Sequence, residues 1–292
     1  MLFAASAPGQ AQFLLDGDLS VRYDDTSKSD GRGQYRLRVL PSYEFDNGVS
    51  LHAFLATGDE YDSAYNTIDQ NDDEFHVRHL FARFENERGK LELGAIPPYK
   101  GRVSSTGLSK EGWVKGLRGV LRQNSGDFEI VLGELDDLRA QDAISLPAKV
   151  NYVEVEYSGR LNDLWSFEVS VDRMLQDNFL RGELRYETAA GVAYALEAVR
   201  NASENANKFV VSMERSLTIG PRPIDWFIYY AYAEAAFGPR AELTEDFLDF
   251  GHAFAMEFSG AIADSSRWAW FTKAEVYENR VRGQLGLEFD FR

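Results

Sequence analysis

The chain has 292 residues, a net charge of −16 and no cysteine. The absence of cysteine excludes disulfide bonds and thiolate chemistry, and the negative charge disfavours nucleic acid, whose binding proteins carry basic surfaces. Aromatic residues make up 13% of the chain and charged residues 27%, but no stretch approaches the roughly 18 consecutive apolar residues that a membrane helix needs.

The N-terminal stretch MLFAASAPGQAQF is apolar at its start and then rich in small residues. Gly9 and Ala11 are placed like the small residues before a signal-peptidase cleavage site, although a basic region is missing. We interpret residues 1–11 as the remnant of an export signal, with a disordered N-terminus as the alternative. Residues 12–292 are predicted to form one domain, because no linker or low-complexity tract divides them.

Apolar and polar residues alternate along most of the chain, which is typical of strands with two unlike faces. The clearest examples are 13–23, 35–45, 165–172 and 281–292. Twelve weaker segments are 49–58, 75–85, 90–96, 113–123, 127–134, 148–158, 179–187, 191–200, 208–217, 225–236, 251–260 and 267–278. Together they predict about sixteen strands, with fourteen as the alternative count, and each is near the length that a tilted membrane strand needs.

The connections between these strands alternate in length. Short turns are predicted at DNG, ENERG, QNSGD, TAAG, TIGPRP and ADSSR, and long polar loops at 25–34, 59–73, 97–112, 134–147 and 235–249. Two connections, near 176 and 278, are short where this pattern expects long ones. Short turns at one end and long loops at the other favour an all-β fold, a transmembrane antiparallel up-and-down β-barrel. A soluble β-protein that binds carbohydrate is the alternative.

Sixteen strands enclose an interior that side chains cannot fill, so we expect a water-filled lumen with a polar wall. The charged phase of the strands supplies this wall. The predicted pore-lining residues are Arg36, Arg38, Glu44, Arg118, Arg122, Glu154, Glu156, Glu168, Asp172, Arg181, Glu183, Arg185, Glu187, Arg280 and Arg282. On the opposite phase, the aromatic residues predicted to form interfacial girdles are Tyr23, Tyr35, Tyr43, Trp165, Trp268, Trp270 and Phe289.

Two segments resemble those of bacterial outer-membrane porins. VRHLFARFENERGKLELG, residues 77–94, resembles the strand, glycine turn and strand of these proteins, and the terminal GLEFDF resembles their alternating aromatic last strand. The resemblance implies a bacterial outer-membrane location, a sixteen-stranded barrel, contact with outer-membrane lipid and lipopolysaccharide, and a homotrimer or a monomer.

The resemblance also implies that the third long loop narrows the barrel. The matching segment is 97–112, whose constriction candidates are Lys100, Arg102 and Lys110. These basic residues would face an acidic wall formed by Glu154, Glu156, Glu168, Asp172, Glu183 and Glu187. In the alternative arrangement the loop stays outside, and these carboxylates pair with arginines of neighbouring strands.

Neither a cofactor nor an enzymatic activity is predicted. The four histidines, His52, His76, His79 and His252, lack a neighbouring nucleophile motif. The acidic loop 59–74 contains weak metal-ligand candidates, Asp59, Asp62, Asp72 and Asp73, but solvated carboxylates are the simpler interpretation.

The sequence therefore predicts a channel for passive diffusion of small hydrophilic solutes, with a weak cation preference because acids are in excess. One alternative is a dedicated conduit, for example for a cationic polysaccharide, that works with partner proteins. The other is a plugged barrel with a structural or adhesive role.

Overall fold

The computed structural model describes residues 11–45, 48–58, 65–68, 75–97, 113–135, 144–220, 222–237, 242–244, 247–248, 250–263, 267–278 and 280–291. Every regular element in these ranges is a β-strand. Among the described residues, no helix is long and apolar enough to cross a membrane.

Sixteen long strands and three short ones account for these elements. The long strands are β1 (Gln12–Thr26), β2 (Ser29–Glu44), β3 (Val49–Thr57), β5 (Phe75–Asn86), β6 (Gly89–Ile96), β7 (Val114–Gln123), β8 (Gly126–Glu134), β9 (Tyr152–Arg160), β10 (Trp165–Met174), β11 (Asp177–Glu187), β12 (Ala193–Asn201), β13 (Ala206–Ile219), β14 (Arg222–Ala233), β17 (Gly251–Ala261), β18 (Trp268–Tyr277) and β19 (Arg280–Phe291). The short ones are β4 (Asn66–Thr67), β15 (Glu242–Thr244) and β16 (Phe247–Leu248).

The long strands form one closed barrel. Each pairs antiparallel with the next long strand in the chain, and β19 pairs with β1 from Gly17↔Phe291 to Thr26↔Arg282. Closure leaves no barrel strand with an unpaired edge, which hydrocarbon could not tolerate. The prediction of about sixteen strands is confirmed, and the alternative count of fourteen is wrong.

The two phases of each strand have opposite environments. On the outer phase Leu93 is 62% exposed and Leu285 63%, whereas on the inner phase Arg282 is 5% exposed and Glu154 only 1%. A soluble protein with an apolar core would show the reverse. The exposed apolar face and buried charged face are the arrangement of a barrel whose outer surface contacts lipid.

The long connections all lie at one end, as predicted, but half of the eight connections at that end are short. Both described termini and the turns between β5 and β6, β7 and β8, and β9 and β10 lie at one end, which we call the short-turn end; the other is the long-loop end. Segment 25–34, predicted to be a long loop, instead continues β1 and β2 to a two-residue turn at 27–28. Its polar residues pair within the hairpin, as in Thr26↔Ser29, whose hydroxyl oxygens lie 2.8 Å apart, and therefore need no loop.

Three other connections at the long-loop end are also short. They are 175–176, 202–205 and 278–279, so the long loops cluster on the arc from β3 to β9 and between β14 and β17. The sequence indicates two of these short turns, near 176 and 278, but not the one at 202–205.

The seam between the first and last strands depends on a glycine. A Cβ atom added at Gly17 would lie 2.4 Å from the Phe291 ring and 2.5 Å from the Arg38 carbonyl oxygen. The ring of Phe291 therefore packs over Gly17 on the outer face. A side chain at position 17 would collide with this ring.

We expect Gly17→Val to lower the free energy of unfolding by about 1–3 kcal/mol, the usual cost of overpacking. Urea unfolding of the refolded barrel measures this. The control is Gly182→Val, because a Cβ at Gly182 meets nothing within 4 Å. Equal effects of the two substitutions would contradict the role of the seam contact.

Candidate functional site

The inner wall is held by hubs of buried ion pairs, the first centred on Arg181 of β11. Its guanidinium lies 2.8 Å from Glu168 of β10, 2.9 Å from Glu183, 3.2 Å from Glu197 of β12 and 3.5 Å from Glu156 of β9. The Arg181 side chain is 0% exposed. One arginine thus joins four strands and leaves this part of the wall with an excess of negative charge.

A second hub has the opposite polarity. Glu92 of β6, which is 0% exposed, lies 2.8 Å from Arg83, 3.0 Å from Arg118 and 3.6 Å from Lys90. Arg118 also binds Glu129 at 2.9 Å. Here cations surround one carboxylate, and the pairs connect β5, β6, β7 and β8.

A third hub spans the seam between β1 and β19. Asp24 accepts two hydrogen bonds from Arg282, at 2.7 Å and 2.6 Å, and lies within 4 Å of Arg22 and Arg32. Arg282 also lies 3.5 Å from Glu275 of β18. The first and last strands are therefore joined by a buried bidentate ion pair as well as by the backbone ladder.

The arginine-rich seam and the acid-rich Arg181 hub lie on opposite sides of the barrel. Following the strand pairing around the ring, β10 is the eighth neighbour of β1 in either direction. An interior with unlike charge on opposite sides sets up a transverse electric field between the two walls.

Inner residues are more exposed toward the short-turn end. The side chains of Glu168, Arg185 and Glu214 are 34%, 26% and 28% exposed. A cavity of about 610 Å³ lies beside them, lined by residues of 123–127, 158–160 and 166–168 together with Glu183 and Arg185. Partly exposed charges occupy this half of the described wall.

Toward the long-loop end the inner face contains a buried apolar cluster. Tyr152, Phe179, Val199 and Ala233 are on the inner phase and are at most 5% exposed, and the Phe179 ring lies 5.8 Å from that of Phe237. The described inner wall is therefore polar in part and apolar in part. Alternation shows which way a side chain points, but it does not show whether water reaches it.

All fifteen predicted pore-lining residues are on the inner phase of their strands. Arg36 and Arg38 bind Asp18 at 3.0 Å and 2.7 Å, and Arg122 of β7 binds Glu85 of β5. Glu44 and Glu187 are exposed at the short-turn end. Their role in solute passage stays a prediction.

The acidic wall proposed from the sequence is partly neutralised. Glu156, Glu168 and Glu183 are joined through Arg181, as cross-strand pairing predicts. Glu154 accepts a hydrogen bond from the Tyr152 hydroxyl at 2.8 Å, and Asp172 is its partner across β9 and β10. The constriction candidates Lys100, Arg102 and Lys110 lie outside the described residues.

The predicted girdle residues are all on the outer phase. Tyr43, Trp165, Trp268, Trp270 and Phe289 lie at the short-turn end, where the Trp165 ring contacts Tyr186 and the Trp268 ring contacts Phe289. Tyr23 and Tyr35 lie at the long-loop end. Rings with polar tips suit the two levels at which a membrane meets water.

The comparison with solved structures matches this architecture over nearly the whole chain. Two engineered variants of the Rhodopseudomonas blastica porin have TM-scores of 0.66 at 11% and 12% identity, covering 96% of this chain and 100% of theirs. The chain has the fold of the bacterial porins. A loop-deletion mutant of an outer membrane protein of Vibrio cholerae has a TM-score of 0.58 at 10% identity, covering 96% of this chain and 99% of that one.

The two comparisons based on sequence found nothing. No family model matches the sequence, and no curated protein matches it. The resemblance noted in the sequence is confirmed at the level of fold.

Sequence reasoning missed an inward contact made by Tyr65. Residues 66–67 pair with β2 at Gln34 and Tyr35, which places the Tyr65 ring over the barrel interior. The ring centroid lies 3.5 Å from the Arg22 guanidinium, and the Tyr65 hydroxyl lies 3.1 Å from Ser20 Oγ. No local pattern marks this contact, because its partners are more than 40 residues away.

We expect Tyr65→Ala to widen the interior beside β1 and to raise single-channel conductance in a planar bilayer. Loss of the cation–π contact should also lower the unfolding free energy by about 1–2 kcal/mol. Tyr65→Phe is the matched control, since it keeps the ring and loses only the hydroxyl contact. A conductance increase of the same size in both variants would contradict the role of the ring.

Three of the four histidines, His52, His79 and His252, lie in different settings. His52 Nε2 is 2.8 Å from Ser50 Oγ, on the inner phase of β3, a pairing that the i, i+2 spacing could have indicated. Within the described ranges, no carboxylate is hydrogen-bonded to His52. His79 packs on Phe54, and His252 lies between Tyr230 and Tyr232 on the outer phase.

The described residues contain no group of three or more side chains able to hold a metal ion. The weak metal candidates Asp59, Asp62, Asp72 and Asp73 lie outside the described ranges, so their prediction stays untested.

Proposed function

We propose that this protein is an outer-membrane channel for passive diffusion of small hydrophilic solutes. The observation that carries the proposal is the closed sixteen-strand barrel with an exposed apolar outer face and a charged inner face. An exposed apolar belt with aromatic girdles requires a membrane, and a charged interior too wide to be filled by its own side chains requires water. The porin fold supports the same conclusion.

The wall chemistry supports a weak cation preference. The Arg181 hub joins one cation to four carboxylates, whereas in the Glu92 hub and at the seam several cations surround one carboxylate on other arcs of the wall. Both ion signs therefore find a compatible wall, and the chain's net charge of −16 tips the balance towards cations.

The test is single-channel recording from the detergent-purified, refolded chain in a planar bilayer with a salt gradient. Discrete steps with a reversal potential of cationic sign are expected. A reversal potential of anionic sign would contradict the cation preference but would still support a channel. Absence of steps from protein shown to be folded and inserted would overturn the channel itself.

A plugged barrel is the second candidate, because the apolar inner cluster around Tyr152, Phe179 and Phe237 is buried. Such a barrel would insert normally, give no steps and resist solute entry into vesicles. Liposome swelling with sugars of increasing size separates the two functions, since only an open pore shows a size-dependent rate.

A further inference from the structure

The cavity of about 610 Å³ at the short-turn end has two charged side chains with free bonding capacity in its lining. Arg160 of β9 is exposed; its Nη2 atom donates to the carbonyl oxygen of Asp163 at 2.9 Å, and no described carboxylate pairs with it. Glu168 of β10 binds Arg181 through its Oε2 atom at 2.8 Å. The Glu168 Oε1 atom accepts no hydrogen bond from the described part of the chain, and the side chain is 34% exposed. One cation and one carboxylate oxygen are therefore accessible to a solute in this cavity.

The strand register fixes the separation of these two charges. Arg160 is the partner of Ser166, and Glu168 is the partner of Ser158, so Arg160 and Glu168 are diagonal neighbours on the inner face. The Cβ atoms of side chains in such positions are about 7–8 Å apart. Among the described ion pairs none joins Arg160 to Glu168, because Arg160 contacts the turn and Glu168 contacts Arg181. A solute with an ammonium and a carboxylate group can bind to both.

Two serine hydroxyls lie beside the charges. Ser158 and Ser166 are half-buried and line the same cavity. A hydroxyl both donates and accepts hydrogen bonds, so each serine can bind the polar group of a solute next to the charged one. An extended chain of two residues spans about 7 Å, which is similar to the diagonal separation of the two charged positions. An uncharged sugar would use the hydroxyls alone, whereas a short zwitterionic peptide uses all four side chains.

We propose that this cavity binds small zwitterions of the dipeptide class, with the carboxylate of the solute on Arg160 and Ser166 and its ammonium on Glu168 and Ser158. The inference rests on the proposed function and deepens it, because it names a class of solute that the channel binds at its short-turn mouth. Binding in detergent needs no open pore, so a silent barrel that binds a dipeptide would overturn the channel and not this site. Channel steps from a chain that binds no dipeptide would overturn the site and not the channel.

The test is calorimetric titration of the refolded chain, in a polyoxyethylene detergent at low salt, with L-alanyl-L-alanine, its N-acetyl form and its C-terminal amide. The free dipeptide should bind about three- to fivefold more tightly than either blocked form, the upper range for a partly exposed ion pair. Arg160→Gln should weaken binding of the free dipeptide by this factor and leave binding of the amide unchanged. Glu168→Gln should likewise weaken binding of the free dipeptide and leave binding of the N-acetyl form unchanged.

The matched controls are Arg88→Gln and Glu87→Gln, which remove the same charges from an exposed turn at the short-turn end, outside the lining of the cavity. All three affinities should stay unchanged in both controls. Losses in the controls equal to those in Arg160→Gln and Glu168→Gln would show general charge attraction and overturn the site. Equal affinities of the free and blocked dipeptides for the unsubstituted chain would also overturn it. Binding of maltose as tight as that of the free dipeptide would show a hydroxyl-binding site and overturn the zwitterion assignment.

Discussion

Arg181→Met should lower the free energy of unfolding of the barrel by about 3–5 kcal/mol, the usual cost of removing one partner from a buried ion cluster. The substitution keeps the volume of the side chain but leaves Glu156, Glu168, Glu183 and Glu197 facing each other. Four neighbouring carboxylates repel, so part of the cost is relieved by proton uptake or by entry of cations. Urea unfolding of the barrel in lipid vesicles measures the loss.

The control for this variant is Arg185→Met on the same strand. Arg185 lies 2.9 Å from Glu214, but both side chains are more than a quarter exposed, so its removal should cost under about 1 kcal/mol. Folded Arg181→Met should also be more cation-selective than the unsubstituted chain. If the two methionine variants were equally stable, the hub would have no structural role.

Asp24→Asn should lower the free energy of unfolding by about 3 kcal/mol or more. The substitution removes the charged acceptor of a buried bidentate ion pair and leaves Arg282 beside Arg22 and Arg32. The lost ion pair joins the two strands that close the barrel, so β1 and β19 are expected to separate first. Hydrogen exchange of the amides of Val21 to Asp25 should accelerate before exchange elsewhere increases.

Asp290→Asn is the control for the seam. Asp290 is on the same strand pair, opposite Asp18, but it is exposed. It should change stability by less than about 1 kcal/mol. Uniform acceleration of exchange around the barrel in Asp24→Asn would contradict a local role of this ion pair.

Strand positions could be predicted from the sequence because a barrel wall has two chemically distinct faces along its length. The strand predicted at 75–85 is observed as β5, Phe75–Asn86, and the strand predicted at 113–123 is observed as β7, Val114–Gln123. The largest error is at β2, predicted to start at 35 and observed to start at Ser29. The next largest is at β9, predicted to start at 148 and observed to start at Tyr152. Residues before it are extended but bound elsewhere, since the Ala148 amide donates to the Glu134 carboxylate.

The contents of the interior could be predicted only in part. Alternation assigned Arg181, Glu156, Glu168 and Glu183 to one face but did not single out Glu197. The hub depends on the register of four strands, which alternation does not determine. Tyr65 reaches Arg22 from a segment with no strand pattern of its own. Contacts that depend on loop paths are therefore visible in the structure and not in the periodicity.

Pairing of β1 with β19 also affects the kinetics of folding. Gly17 meets Phe291, so the ring closes only when nearly the whole chain is available. Bringing such distant ends together costs roughly 5 kcal/mol of chain entropy, and this cost falls on the last step if the hairpins form first. Until then two strand edges are open to pairing with other chains. A chain lacking its last twelve residues should therefore aggregate rather than form a smaller barrel.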